Sequence, residues 1–155
     1  MVVERIILMI DLLIDFWRNQ NIKILAKTPR EIDIIERQKA IILPIDFREL
    51  YLRVNGMEEF YPNEIDDEGF LFYPLAELVS VNTEFENSSM INKEKVFIFA
   101  EYMHRSWWYG FEVTGSNEYL IGIISDNTSF KPITNSLAEF IELYIENSPK
   151  LYDYS

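Results

Sequence analysis

Residues 43–56 read LPIDFRELYLRVNG, and this stretch decides the fold. It is the best-bounded helix in the chain. Pro44 is predicted at the first helical position, because its fixed φ suits a helix and its missing N–H is not needed there. Asp46 and Glu49 bring negative charge to the positive end of the helix dipole. Phe47, Leu50, Tyr51 and Val54 follow the i, i+3, i+4, i+7 rule and form one apolar stripe. Arg53 supplies a cation to the last turn. Asn55-Gly56 is predicted to end the helix, since glycine enters the left-handed region at little cost. Leu43 breaks the pattern, because it has no side-chain oxygen with which to cap the first turn.

Working outward toward the N-terminus, Thr28-Pro29-Arg30-Glu31 is a helix start. Thr28 is the N-cap, Pro29 the first position and Glu31 the third residue of a capping box. The spacing predicts a helix to about Gln38, burying Ile32, Ile35 and Ile34. Residues 4–18 predict another helix, with Ile6, Ile10, Leu13 and Trp17 on one face and Met9 and Phe16 widening it. Residues 20–27 between them fit a short strand or a loop.

Working outward toward the C-terminus, residues 57–69 carry six acids and no base, and predict a loop with an extended piece at Phe60-Tyr61. Residues 70–73 predict a brief strand, and Pro74 starts a helical turn through Leu78. Residues 79–93 are polar and weakly periodic, and read as helix or loop. Residues 96–100, 107–113 and 119–124 are apolar strands, with Gly115-Ser116-Asn117 as a hairpin turn. Such unbroken apolar runs predict central strands, and the short connections make neighbours antiparallel. Asn135 or Ser136 begins the last helix, with Leu137, Phe140, Ile141 and Tyr144 facing inward and Pro149 shortly beyond its end. The expectation is one α+β domain over residues 1–155, with helices on a mainly antiparallel sheet.

At 155 residues, 48% of them apolar, the chain is long enough for a real core. A net charge of −12 disfavours nucleic acid and anionic membranes as partners, and favours a basic partner or simple solubility. The absence of cysteine removes disulfides, thiolate metal sites and cysteine nucleophiles together, and fits a reducing, cytoplasmic setting. Residues 6–10 form an apolar run too short for a membrane span, interrupted by Asp11 and Asp15 and followed by no small-residue cleavage site.

The residues offer little chemistry. His104 is the single histidine, so HxH and HExxH metal spacings cannot be made. No glycine-rich phosphate loop and no GxSxG elbow is present. Asp66-Asp67-Glu68-Gly69 lacks the alternating acids and distant glutamate of a calcium loop. No catalytic residue, metal or cofactor is therefore expected. Glu58, Glu59, Glu64, Asp66, Asp67 and Glu68 fit either a solvated loop or a patch for a basic partner, and Tyr61 would add an aromatic anchor. In the run Trp107-Trp108-Tyr109, Trp107 shares a strand face with Tyr109 and Phe111 and is assigned to the core. Trp108 points to the other face, as a second candidate anchor or beneath a helix.

The motif order resembles the SMI1/KNR4 (SUKH) superfamily. The matching residues are Ile35-Glu36, Leu43-Pro44, Phe47, Tyr51 and Asn55-Gly56. Residues 71–78, 96–100 and 107–113 resemble the family's strands and short proline-led helix, and Ser136-Leu137-Ala138-Glu139-Phe140-Ile141 resembles its closing helix. The resemblance spans about residues 30–147. It implies an α+β fold and a non-enzymatic protein-binding role. Many bacterial members are immunity proteins against polymorphic toxins, and fungal members regulate cell-wall glucan synthesis. The expectation is a cytoplasmic immunity-type protein that binds a toxin domain. The alternatives are a regulatory or scaffold module of the same family and a small carboxylate-dependent enzyme. The resemblance transfers no binding residue.

Overall fold

In the computed structural model, which describes residues 2–57, 66, 68–85, 88–90, 92–126 and 129–153, the opening stretch forms a helix whose two ends differ from expectation. The first two helices are α1 (Val2–Arg18) and α2 (Pro29–Lys39), and this third one is α3 (Ile45–Arg53). Pro44 is its N-cap rather than its first helical residue. The side-chain cap that neither Leu43 nor Pro44 can supply is replaced from outside. Asn117 Oδ1 accepts the Ile45 N–H at 3.2 Å, and one residue before the N-cap Glu36 Oε2 accepts the Leu43 N–H at 2.7 Å. Backbone donors at a helix start need such partners wherever they come from.

The other end is also rearranged. α3 stops at Arg53, with Val54 extended as its C-cap. Gly56 does adopt a positive φ of 59°, but beyond the cap. Asn55 is buried and stitches neighbouring segments together. Its N–H donates to the Leu25 carbonyl at 2.6 Å, and its Oδ1 accepts the Leu75 N–H at 2.8 Å.

The capping box at Thr28 forms as predicted, with Thr28 Oγ1 accepting the Glu31 N–H and Glu31 Oε1 accepting the Thr28 N–H. These bonds to Thr28, chiefly the one from its backbone, hold the Glu31 carboxyl below its ordinary range. α2 buries Ile32 and half-buries Ile35, whereas Ile34 is exposed rather than buried. α1 buries Ile6, Met9, Ile10, Leu13 and Trp17, the stripe its periodicity predicts. Residues 20–27 contain no strand.

The described strands make one six-stranded antiparallel sheet: β1 (Phe70–Phe72), β2 (Val79–Ser80), β3 (Val96–Tyr102), β4 (Trp107–Gly115), β5 (Glu118–Ile124) and β6 (Lys131–Thr134). The order is β1-β3-β4-β5-β6, with β2 also on β3. The three apolar runs are thus the central strands. β2 and β6 went unrecognised in the sequence, because two and four residues carry too little alternation to register. The segment read as helix or loop after Leu78 holds β2 and the short helix α4 (Val81–Glu84). The β4–β5 turn is Ser116-Asn117, with Asn117 at φ 58°, and Gly115 still belongs to β4.

The sequence closes with α5 (Leu137–Ile145), capped by Ser136. The four residues predicted to face inward are all buried, and Ala138 is buried with them. α1, α3 and α5 cover one sheet face through aromatic contacts. Phe47 stacks on Phe111 at 4.1 Å, Phe140 meets Phe99 edge-on at 5.2 Å, and Trp17 meets Phe72 at 5.1 Å. Tyr119 ties the layers by hydrogen bonds. Its O–H donates to Asp46 Oδ2 at 2.5 Å and accepts the Leu137 N–H at 2.7 Å. The result is an α+β fold, with helices on a mainly antiparallel sheet.

Candidate functional site

The described end of the acidic segment is fastened to the core by a buried polar chain. Trp17 Nε1–H donates to Tyr144 Oη at 2.9 Å, and the Tyr144 O–H donates to Asp66 Oδ2. Asp66 Oδ1 accepts the N–H groups of Phe70 at 2.8 Å and Glu68 at 2.9 Å. Asp66 is only 5% exposed, so it is an anchor and presents nothing to a partner. Burial pushes its carboxyl above the usual range, against the pull of Tyr144 and the backbone donors. Burial, reinforced by the Asp66 carboxylate, also raises the Tyr144 hydroxyl well above its ordinary value.

The end of this segment docks on the tip of the β3–β4 hairpin. The Met103 N–H donates to the Gly69 carbonyl at 2.9 Å, and the Met103 side chain lies where a Cβ on Gly69 would sit. Met103, His104 and Arg105 take positive φ values of 49°, 53° and 68° in succession. Each is sterically unfavourable for a residue with a Cβ. The turn is held by the Ser106 N–H on Tyr102 O at 2.9 Å and by Ser106 Oγ on Met103 O at 2.8 Å.

Three half-buried aromatic side chains meet beside that tip. Tyr102 and Trp107 face each other across the hairpin and stack at 4.8 Å. Tyr152, from a 3₁₀ helix over Pro149–Tyr152, stands edge-on to Tyr102 at 5.2 Å and to Trp107 at 6.3 Å. Phe70 lies under them, 4.8 Å from Tyr102 and 6.1 Å from Tyr152. The rings are locked from below. Trp107 Nε1–H donates to Tyr109 Oη at 2.9 Å, and the Tyr109 O–H donates to the Leu151 carbonyl at 2.6 Å. The Tyr152 hydroxyl is pushed up to about 12, first by burial, then by Tyr102 and the nearby Glu68 and Asp66 carboxylates. Negative charge therefore acts on this cluster.

The sequence-derived candidates fall in different places. Glu58, Glu59, Tyr61, Glu64, Asp67 and the extended piece at Phe60-Tyr61 lie outside the described residues. Glu68 is exposed beside the cluster. Trp108 projects from the opposite sheet face, half-buried, with its ring edge-on to Phe85 at 5.0 Å. Its Nε1 is buried without a hydrogen-bond partner among the described residues. Trp107, assigned to the core, is instead half-buried in the cluster. His104 is exposed at the hairpin tip.

Sequence reasoning missed Tyr102 and Tyr152 as members of a shared surface. The one available signal was Tyr102 and Trp107 flanking a four-residue connection, a hairpin pair by spacing. Nothing local links Tyr152 to them. Among the described residues no group of three His, Cys, Asp or Glu side chains could hold a metal ion, and no helix is long and apolar enough to cross a membrane.

A family model described as SMI1 / KNR4 family (SUKH-1) matches residues 27–143. That match runs from the approach to α2 to within α5, and it includes the β3–β4 hairpin but not α1 or Tyr152. No curated protein matches the chain.

Proposed function

The chain belongs to the SMI1/KNR4 family (SUKH-1), and from that membership we propose that it is an immunity protein, a non-enzymatic single domain that binds a polymorphic toxin domain in the cytoplasm and blocks it. The family supports a general immunity-like, protein-binding role. The observation that carries the reading is the match over residues 27–143, which takes in the whole described sheet. The partner-binding residues in this reading are Glu58, Glu59, Tyr61, Glu64, Asp67 and Glu68, with Trp108 as a separate anchor. Asp66 is left out of that set because it is buried and bonded to Tyr144 and to the N–H groups of Glu68 and Phe70. The net charge of −12 favours a basic toxin domain, which the acidic segment would steer into encounter.

The test is affinity purification of the tagged full chain from its source cells, followed by assay of whatever binds. The expected result is a toxin-domain protein at fixed stoichiometry, inactive in the complex and lethal when expressed alone. Recovery of a cell-wall synthesis enzyme whose activity the chain modulates would overturn this reading in favour of a regulatory member of the family. A substrate turned over by the purified chain would overturn the non-enzymatic part.

A further inference from the structure

We propose that the cluster of Tyr102, Trp107 and Tyr152 is a docking surface for arginine side chains of a basic protein segment. This rests on the reading of the chain as a protein-binding module, and adds a face and a partner chemistry to it. Large half-exposed aromatics on rigid elements are the residue types that anchor interfaces. Here two come from facing positions on adjacent strands and the third from a 3₁₀ helix pinned by the Tyr109–Leu151 bond. Little ordering is left to be done on binding, which favours affinity. Met103, 49% exposed at the hairpin tip, extends the apolar surface.

The cluster adjoins the end of a segment with six acids and no base, in a chain of net charge −12. Glu68 is exposed and its carboxylate acts on the Tyr152 hydroxyl. Among the described residues, the cations on the neighbouring elements each face a carboxylate: Arg105 Nε lies 3.5 Å from Glu101 Oε1, Lys131 Nζ 3.1 Å from Asp153 Oδ1 and Lys150 Nζ 3.9 Å from Glu139 Oε1. The surface thus combines aromatic faces with negative potential, the conditions for a cation over a ring. Arginine fits better than lysine. Its planar guanidinium stacks on aromatic faces and gives up its hydration more readily.

The probe is a nine-residue arginine peptide, with the nine-residue lysine peptide as its control, titrated calorimetrically into the full chain at physiological salt. Both peptides carry the same charge, so a general attraction to an acidic protein binds them alike. The expected result is a preference for arginine of about tenfold. Tyr152→Leu keeps the net charge and should bring the two affinities together without lowering the lysine affinity. Trp107→Leu should do the same, and Trp107→Phe, which keeps a ring, should restore most of the preference. If Trp107→Leu does not fold, Tyr152→Leu decides alone. Equal binding of both peptides by wild type overturns the proposal. So does an unchanged arginine preference in a folded Tyr152→Leu. Neither result touches the immunity reading, which fails only in the partner purification.

Discussion

At the scale of single residues, two carboxylates do structural work that their sequence context disguised. Glu36, on α2, ties that helix to α3 and to the connection between them. One oxygen accepts the Leu43 N–H, and the other meets Arg48 at 3.1 Å, whose second nitrogen reaches Asp33 at 2.9 Å. Glu36→Ala removes both roles at a part-buried site, and the expected loss is about 1–3 kcal/mol. Urea denaturation checks it, and Glu36→Gln, which keeps an acceptor, should retain part of the stability. Asp66 behaves differently with pH. Its folded-state carboxyl titrates above the unfolded value, so between the two values the native state binds more protons than the unfolded one. Stability then falls as pH rises through that window. Asp66's favourable contribution is complete below the unfolded value and is lost above the folded one. In melting curves from pH 3 upward, Asp66→Asn should lack this term. The wild type should lose ground to the variant as pH rises from about 4. A constant difference between the two would show that Asp66 does not titrate abnormally.

At the scale of elements, α3 shows how a helix is ended by its surroundings. Val54 is extended, Asn55 is used as a buried connector, and Gly56 turns the chain where a side chain has no room. A Cβ on Gly56 would press into the Tyr73 carbonyl oxygen, at a φ of 59° that already disfavours L residues. Gly56→Ala should therefore destabilise by more than about 2 kcal/mol, combining backbone strain with a clash against main chain that cannot yield. Thermal unfolding measures this. An Ala variant melting within a degree of wild type would mean that the exit from α3 is plastic. The same element carries the apolar stripe onto the sheet, with Phe47, Leu50 and Tyr51 all at or below 3% exposure.

At the scale of the whole molecule, charge is the dominant property. Exposed charge acts through a screened field rather than through contacts, with a reach of about 8 Å at physiological salt. Changing Glu58, Glu59, Glu64 and Glu68 to glutamine leaves the Asp66 anchor intact and removes four negative charges. The variant should fold normally. It should associate more slowly with a basic partner at low salt, with the difference shrinking as salt rises. Stopped-flow association across a salt series is the measurement. Equal rates at low salt would leave the acidic segment as a solvated loop.

What the sequence determined by itself is local and periodic. The α1 stripe, the Thr28 capping box, the three central strands and the inward face of α5 all follow from spacing. In each, the physical cause acts within a few residues along the chain. The family order of motifs was legible for the same reason. Only the tertiary structure decided what depends on partners distant in sequence. It supplied the missing α3 cap from Asn117 and fixed Leu43, just before the cap, with Glu36, and it gave Asn55 to Leu25 and Leu75 rather than to a helix end. It withdrew Asp66 from the acidic run by offering it Tyr144, 78 residues away. It also brought Tyr152 onto Tyr102 and Trp107. A hydrogen-bond acceptor or an aromatic face has no periodicity to betray its partner, so such pairings exist only once the chain has closed on itself.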